Sequence, residues 1–135
     1  MVKLAEFKNN IDAKTDASAE VAREYAELLT STEFGLVPRG DNLYSFRFLE
    51  TLAAGAIPVI FSDDWALPFA EILNYDEFSV RIKEDDWAQL LPRLSSITPE
   101  QRCAMRQRGQ EVYDRHFGTH AAQAETLLAI LAKRN

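Results

Sequence analysis

The stretch from residue 34 to residue 65 constrains the fold most, because two short apolar runs flank a helical pattern there. The first run is Phe34–Val37 and the second is Ile57–Phe61. Between them, apolar residues recur at the spacing of one helix face: Phe46, Leu49 and Ala53. Gly55 stands where such a helix would end. A strand, a loop, a helix and a strand within about 30 residues predict one βαβ unit.

The polar loop of this unit carries the residues of chemical interest. It holds Arg39 and Asn42, and Ser45 is the predicted N-cap of the helix that runs to Ala54. A loop that leaves a parallel strand and enters a helix is the usual ligand site of an open α/β sheet. The helix N-terminus, with Arg39 and Arg47 beside it, suits the oxygens of a diphosphate.

The rest of the chain alternates helical and extended patterns. A first helix is predicted from Asp16 or Ser18 to about Thr30, with a buried stripe of Val21, Tyr25, Leu28 and Leu29. A strand is predicted over Phe78–Ile82, with Phe78, Val80 and Ile82 on one face. Three further helices are predicted: one capped by Asp85 that Pro92 interrupts or kinks, one that begins at Thr98 and Pro99 and ends near Gly118, and a last one capped by Thr119. The apolar run Phe34–Val37 predicts a strand covered on both faces. Trp87, Met105 and Tyr113 are predicted core residues.

These alternating elements predict an α/β fold, a Rossmann-like parallel sheet flanked by helices, in one domain over residues 1–135. The 47% of hydrophobic residues can fill a core. The net charge of −6 argues against a general nucleic-acid or anionic-membrane surface, although a few arginines can still form a local anion pocket. The single Cys103 cannot form an internal disulfide. His116 and His120 flank the helix breaker Gly118, which argues against a paired metal site.

Four ordered motifs carry a family resemblance: LVPRG (36–40), SFRFLE (45–50), AGAIPVI (54–60) and LPF (67–69). In these the chain resembles the exostosin family, glycosyltransferase family 47, to which animal enzymes that build heparan sulfate chains belong. The resemblance covers about residues 20–117. Ala56 departs from the pattern, because the family often has Cys there.

The resemblance implies the nucleotide-sugar-binding, C-terminal half of a GT-B glycosyltransferase, with a helix-rich C-terminus. It implies transfer of a sugar from a UDP-sugar to a glycan hydroxyl, with Arg39 and Arg47 stabilising the UDP leaving group. Glu50 would hold the donor ribose. Other implied donor-side residues are Ser45, Phe46 and Asn42, with Asp64 as a further candidate near the donor sugar. Many GT-B enzymes have a second Glu eight positions before the ribose-binding one, and here that position is Asn42.

In such enzymes the acceptor, and often the general base, come from another domain, so a partner domain or chain is expected and the chain alone should be inactive or nearly so. The resemblance implies a Golgi membrane location with an N-terminal anchor. The sequence has neither a signal-peptide core nor 18 consecutive apolar residues, so we expect a fragment, a truncated gene product or a soluble relative. No cofactor beyond the UDP-sugar is firmly implied, and dependence on a divalent metal stays open.

Alternatives stay open for the individual residues. Arg47 and Glu50 are three residues apart and suit a surface ion pair worth about 0.2–0.5 kcal/mol. Arg39 suits a solvated loop, and Asp63 with Asp64 suits a turn followed by a helix cap. Trp65 and Phe69 lie in an apolar loop, which favours packing over stacking on a sugar, although a sugar face could lie on Trp65.

Two alternatives concern the whole chain. One is a non-catalytic module, derived from a transferase, that binds a nucleotide-sugar or another protein. The other is a receiver-like signalling domain, since Asp63 and Asp64 follow an apolar strand in an acidic chain. The second alternative lacks the acidic pair that a receiver needs after its first strand.

Overall fold

A computed structural model describes residues 16–39 and 46–134. The elements in chain order are α1 (Asp16–Ser31), β1 (Phe34–Pro38), α2 (Arg47–Ala53), β2 (Ile57–Phe61), a 3-10 turn (Tyr75–Glu77), β3 (Val80–Arg81), a second 3-10 turn (Trp87–Gln89), α3 (Leu90–Ser95), α4 (Pro99–Val112), a π-helical turn (Tyr113–Phe117) and α5 (His120–Lys133). Helices flank a short parallel sheet, so the predicted α/β class is confirmed.

The sheet has three parallel strands in the order β1-β2-β3. Leu36 lies opposite Val59, and Ile60 lies opposite Arg81. The ladder continues past β1, because the backbone N–H of Arg39 donates to the carbonyl oxygen of Phe61 at 2.9 Å. All three strands therefore end at the same edge of the sheet.

The central βαβ unit forms as predicted, and Gly55 ends its helix. Gly55 has φ of 79°, a left-handed conformation that favours glycine. Its N–H donates to Leu52 O and the N–H of Ala56 donates to Thr51 O, both at 3.1 Å, which is a Schellman motif. Phe46 occupies the N-cap position of α2 without a side-chain cap bond. The predicted cap, Ser45, lies outside the described residues.

The two faces of the sheet bury different side chains. The face under α2 and the π-helical turn packs a mainly aromatic cluster that includes Phe48, Trp65, Tyr75, Phe78 and Phe117. The opposite face packs Ile57, Val59, Phe61, Val80 and Ile82 against α3 and α4. The N-terminal helix and the edge strand β1 are less covered than the sequence predicts: Leu36 is 45% exposed, Val21 67% and Leu28 62%. The predicted stripe of α1 is therefore wrong at Val21 and Leu28, because no described element covers them.

Three predictions around β3 are wrong in part. Phe78 lies on the aromatic side and Val80 and Ile82 on the other, because Phe78 is the C-cap of the 3-10 turn and strand alternation starts only after it. Trp87 is 55% exposed and covers Phe61 from outside, with ring centroids 4.3 Å apart. Pro92 is the third residue of α3, where a missing N–H costs no helix bond, and Asp85 does not cap this helix.

The C-terminal helices begin where the sequence predicts. Thr98 and Gln101 form a reciprocal capping box at the start of α4. The hydroxyl of Thr119 accepts from the N–H of Ala122 at 3.0 Å. α5 buries Ile130 and leaves Leu128 65% exposed. Of the described helices, none has both the length and the apolar character needed to cross a bilayer.

Candidate functional site

Three charged side chains meet where the three parallel strands end. Arg39 follows β1, Asp63 follows β2, and Glu84 follows β3. The Arg39 Nη1 to Glu84 Oε1 distance is 3.7 Å. The N–H of Asp63 donates to Glu84 Oε1 at 3.3 Å, and the N–H of Glu84 donates to Asp63 Oδ1 at 3.1 Å. We call these three residues, together with Arg81 at the end of β3, the strand-end cluster.

Arg81 holds the backbone of the turn after β2. Its Nη2 lies 2.8 Å from the carbonyl oxygen of Ser62, 3.0 Å from that of Asp63 and 3.1 Å from that of Trp65. A guanidinium presents its N–H donors in a fixed, planar arrangement. Three carbonyls that point at one nitrogen therefore fix the course of residues 62–65.

Arg39 is the cation of the cluster whose guanidinium makes no hydrogen bond to the described residues. Its side chain is 45% exposed, and its one described ionic partner, Glu84, is beyond hydrogen-bond distance. The backbone of Arg39 is anchored through its N–H to Phe61 O. The position is thus fixed at the backbone while the guanidinium retains donors for an anion.

The helix α2 presents Arg47 and Glu50 in its first turn. Arg47 is exposed and Glu50 is half-buried. Among the described residues no ion pair joins them, so the surface ion-pair alternative is wrong. α2 spans only seven residues, so its N-terminus alone does not make an anion site. Phe46 is 75% exposed, and Asn42 and Ser45 lie outside the described residues.

The segment after β2 combines polar and packed residues. Asp63 binds the N–H of Glu84 instead of capping a helix, and Asp64 is exposed beside it. Trp65 is 7% exposed and packs edge-on against Phe48 at 5.6 Å, so the prediction that it packs is confirmed. Phe69 has φ of 56° and stacks on Phe117. Within residues 16–39 and 46–134, no three His, Cys, Asp or Glu side chains converge as a metal site.

The prediction from sequence missed Arg81 and Glu84. A usable signal was present, because Lys83-Glu84-Asp85 follows a predicted strand just as Asp63-Asp64 does. Parallel strands end at one edge of a sheet, so charged residues after each strand should converge.

The hydrogen bonds around His116 define which nitrogen of its ring carries the proton. The Thr126 hydroxyl donates to Ala122 O at 2.8 Å, so it must accept from Nδ1–H of His116, also at 2.8 Å. Burial lowers the pKa of His116, and the charges of Arg115 and Arg108 lower it further. His120 begins α5, a different element.

A cavity of about 450 Å³ lies away from the strand ends, between β3, α3 and α4. Asp76 and Arg93 supply its charges, and Arg93 donates to the carbonyl oxygen of Arg81 at 3.3 Å. Arg93, the cation among the described lining residues, thus already has a backbone acceptor, whereas the structure describes no hydrogen bond from the Arg39 guanidinium. We therefore place the candidate site at the strand-end cluster.

Comparison with known proteins connects this geometry to a family. An Exostosin-1 homolog of Caenorhabditis elegans is 40% identical over 82% of the chain, Exostosin-1 of Bos taurus 37% over 82%, and Exostosin-1c of Danio rerio 34% over 96%. The chain spans less than a third of the length of these relatives: 29%, 15% and 18%. Residues 3–97 match the model of the Exostosin GT47 domain. The chain therefore belongs to the exostosin family of glycosyltransferases.

Proposed function

We propose that this chain binds the UDP-sugar donor of a glycosyltransferase at the carboxyl edge of its sheet. The observation that carries the proposal is the position of Arg39, half-exposed beside Asp63 and Glu84 where three parallel strands end. Ligands of open α/β sheets bind at this edge. The resemblance of the four motifs to the exostosin pattern and the family membership support a nucleotide-sugar among such ligands.

Arg39 and Arg47 would act on the leaving group. Sugar transfer breaks the bond between the anomeric carbon and the terminal phosphate oxygen, so negative charge develops on UDP. Guanidinium groups that are already in place stabilise that charge without reorganisation. The backbone of Arg39 is already held in place, because its N–H is hydrogen-bonded to β2.

Glu50 would orient the nucleoside. Its carboxylate accepts hydrogen bonds, and the two ribose hydroxyls donate them. Glu50 is half-buried in α2 and has no ionic partner among the described residues, which leaves both oxygens for such contacts. Asn42, Ser45 and Phe46 would complete the donor side, and Asp64 would lie near the transferred sugar.

Transfer needs more than this chain in our proposal. The acceptor glycan and the general base would come from a further domain or a partner chain, so the isolated chain would bind donor without turnover. The family resemblance of the four motifs implies a heparan-type or related polysaccharide as the product, made in the Golgi of a eukaryotic cell.

Calorimetric titration with UDP tests the proposal. We expect saturable binding that Arg47→Ala and Glu50→Ala each weaken about tenfold or more, because each removes a charged hydrogen-bond partner. Arg115→Ala and Glu125→Ala are matched controls on exposed residues of other elements, and they should bind like the wild type. A folded chain that shows no saturable UDP binding would overturn the proposal. Robust sugar transfer by the isolated chain would refute the need for a further domain.

A further inference from the structure

We infer that Arg81 and Glu84 are positioning residues of this site: they hold the turn at residues 62–65 and the side chain of Arg39 in the arrangement that binds the donor. The inference rests on the proposed function, since it assigns a role within the same site. Neither residue belongs to the donor-binding set that the motifs suggest.

Arg81 is committed to the chain itself. Its Nη2 already serves the carbonyls of Ser62, Asp63 and Trp65, so this nitrogen is not available to a ligand. A buried or partly buried carbonyl that loses its donor costs free energy, so the turn would rearrange without Arg81. That rearrangement would displace Asp63 and Asp64 relative to the end of β1.

Glu84 and Asp63 form a reciprocal pair across the sheet edge. Each backbone N–H donates to the carboxylate of the other residue, which links the loops after β2 and β3 at two points. The same oxygen, Glu84 Oε1, lies 3.7 Å from Arg39 Nη1. The orientation of Arg39 therefore depends on the link that holds Glu84.

Substitutions at Glu84 separate its geometry from its charge. Glu84→Gln retains an oxygen that accepts from the N–H of Asp63 but removes the negative charge beside Arg39. Glu84→Ala removes both. A positioning role predicts damage in the Ala variant and rescue in the Gln variant, whereas a purely electrostatic role predicts that the two variants behave alike.

The experiment measures UDP affinity by calorimetry and the hydrogen-exchange rate of the Asp63 amide by NMR. For Glu84→Ala we expect the Asp63 amide to exchange about tenfold faster and the UDP dissociation constant to rise about tenfold. Glu84→Gln should stay within about threefold of the wild type for both quantities. Arg81→Lys, which keeps the charge but loses the guanidinium, should weaken UDP binding about as much as Glu84→Ala.

Two controls and a melting curve complete the design. Asp85→Ala changes the neighbouring exposed acid, and Arg115→Lys makes the same change as Arg81→Lys on another element; both should bind UDP like the wild type. Glu84→Ala and Arg81→Lys variants that melt cooperatively and bind UDP as tightly as a binding wild type would overturn this inference alone. A wild type that does not bind UDP would instead remove the proposed function, and the donor-site role of both residues with it.

Discussion

The two ends of the sheet use arginine in different ways. At the amino end, arginines of α4 reach the segments that precede the strands: Arg102 Nη1 lies 2.6 Å from Glu33 Oε2, and Arg106 Nε donates to Gly55 O at 2.9 Å. Arg102 also donates to Ile97 O at 3.1 Å. At the carboxyl end, Arg81 and Arg93 donate to backbone carbonyls in the same manner, whereas Arg39 lies 3.7 Å from its acid.

In our proposal, this difference separates an end of the sheet that stabilises the fold from an end that binds the ligand. Charges that meet their partners at hydrogen-bond distance contribute to the fold and have little left for a ligand. A half-exposed guanidinium with a distant partner is available to an anion, and here it lies at the edge where α/β sheets bind ligands. Variants at the two ends should therefore differ in what they change.

The largest expected effect is on ligand affinity at the carboxyl end. Arg39→Ala should raise the dissociation constant for UDP about ten- to a hundredfold, because it removes a charged donor to the diphosphate. Arg106→Ala, at the amino end, should leave this constant within about twofold and lower the melting temperature instead. Calorimetry measures the dissociation constant, and thermal denaturation measures the melting temperature. If Arg39→Ala and Arg106→Ala weakened UDP binding equally, the two ends of the sheet would not differ in the way we describe.

A smaller effect is expected where α2 packs on β1. A Cβ on Gly35 would lie 2.6 Å from Cγ2 and 2.9 Å from Oγ1 of Thr51, which is fully buried. Gly35→Ala should therefore displace α2 and lower the free energy of unfolding by about 1–3 kcal/mol. Leu36→Ala, on the exposed face of the same strand, serves as the control. A urea unfolding series in which Leu36→Ala costs more would contradict this packing.

At the amino end, Gly55→Ala should affect stability alone. The positive φ of Gly55 is strained for alanine, and we expect a loss of about 1–2 kcal/mol in the free energy of unfolding. UDP affinity should not change, because Gly55 lies at the opposite end of β2 from Asp63. Thermal denaturation and titration of the same preparation test both parts; weaker UDP binding at full folding would count against the assignment of the two ends.

The smallest effect concerns pH. The pKa of His116 is lowered in the fold from its ordinary value of 6.5, so below that pH the unfolded chain binds more protons than the folded one. The contribution of His116 to the free energy of unfolding is therefore fully present above pH 6.5. It is lost as the pH falls through the lowered pKa of the folded state. His116→Gln should flatten the change in urea midpoint between about pH 7 and pH 5. If the variant showed the same pH dependence of stability as the wild type, His116 would not be the source of that dependence.

Local signals predicted the fold well where the cause lies in neighbouring residues. Gly55 ends α2, and Thr98 and Thr119 begin α4 and α5, because each cap depends on a few adjacent groups. Burial was predicted poorly where it depends on distant elements, as at Val21, Leu36 and Trp87. An apolar pattern shows which face can be covered and not whether another element covers it.

The candidate site likewise contains one contact that the sequence could predict and one that it could not. Arg39 and Asp63 could be predicted as neighbours, since each follows a strand of the central βαβ unit. The pairing of Asp63 with Glu84 could not, because it depends on the register of β3 against β2 and on residues 21 positions apart in the chain.

An NMR titration of the labelled chain with UDP tests the central claim most directly, because it reports both ends of the sheet at once. We predict saturable amide shifts that cluster at Arg39, Asp63, Asp64 and Glu84, with Glu33, Gly55 and Arg106 unchanged. Shifts that cluster at the amino end, or a folded chain whose amides do not respond to UDP, would contradict the assignment of the carboxyl edge as the donor site.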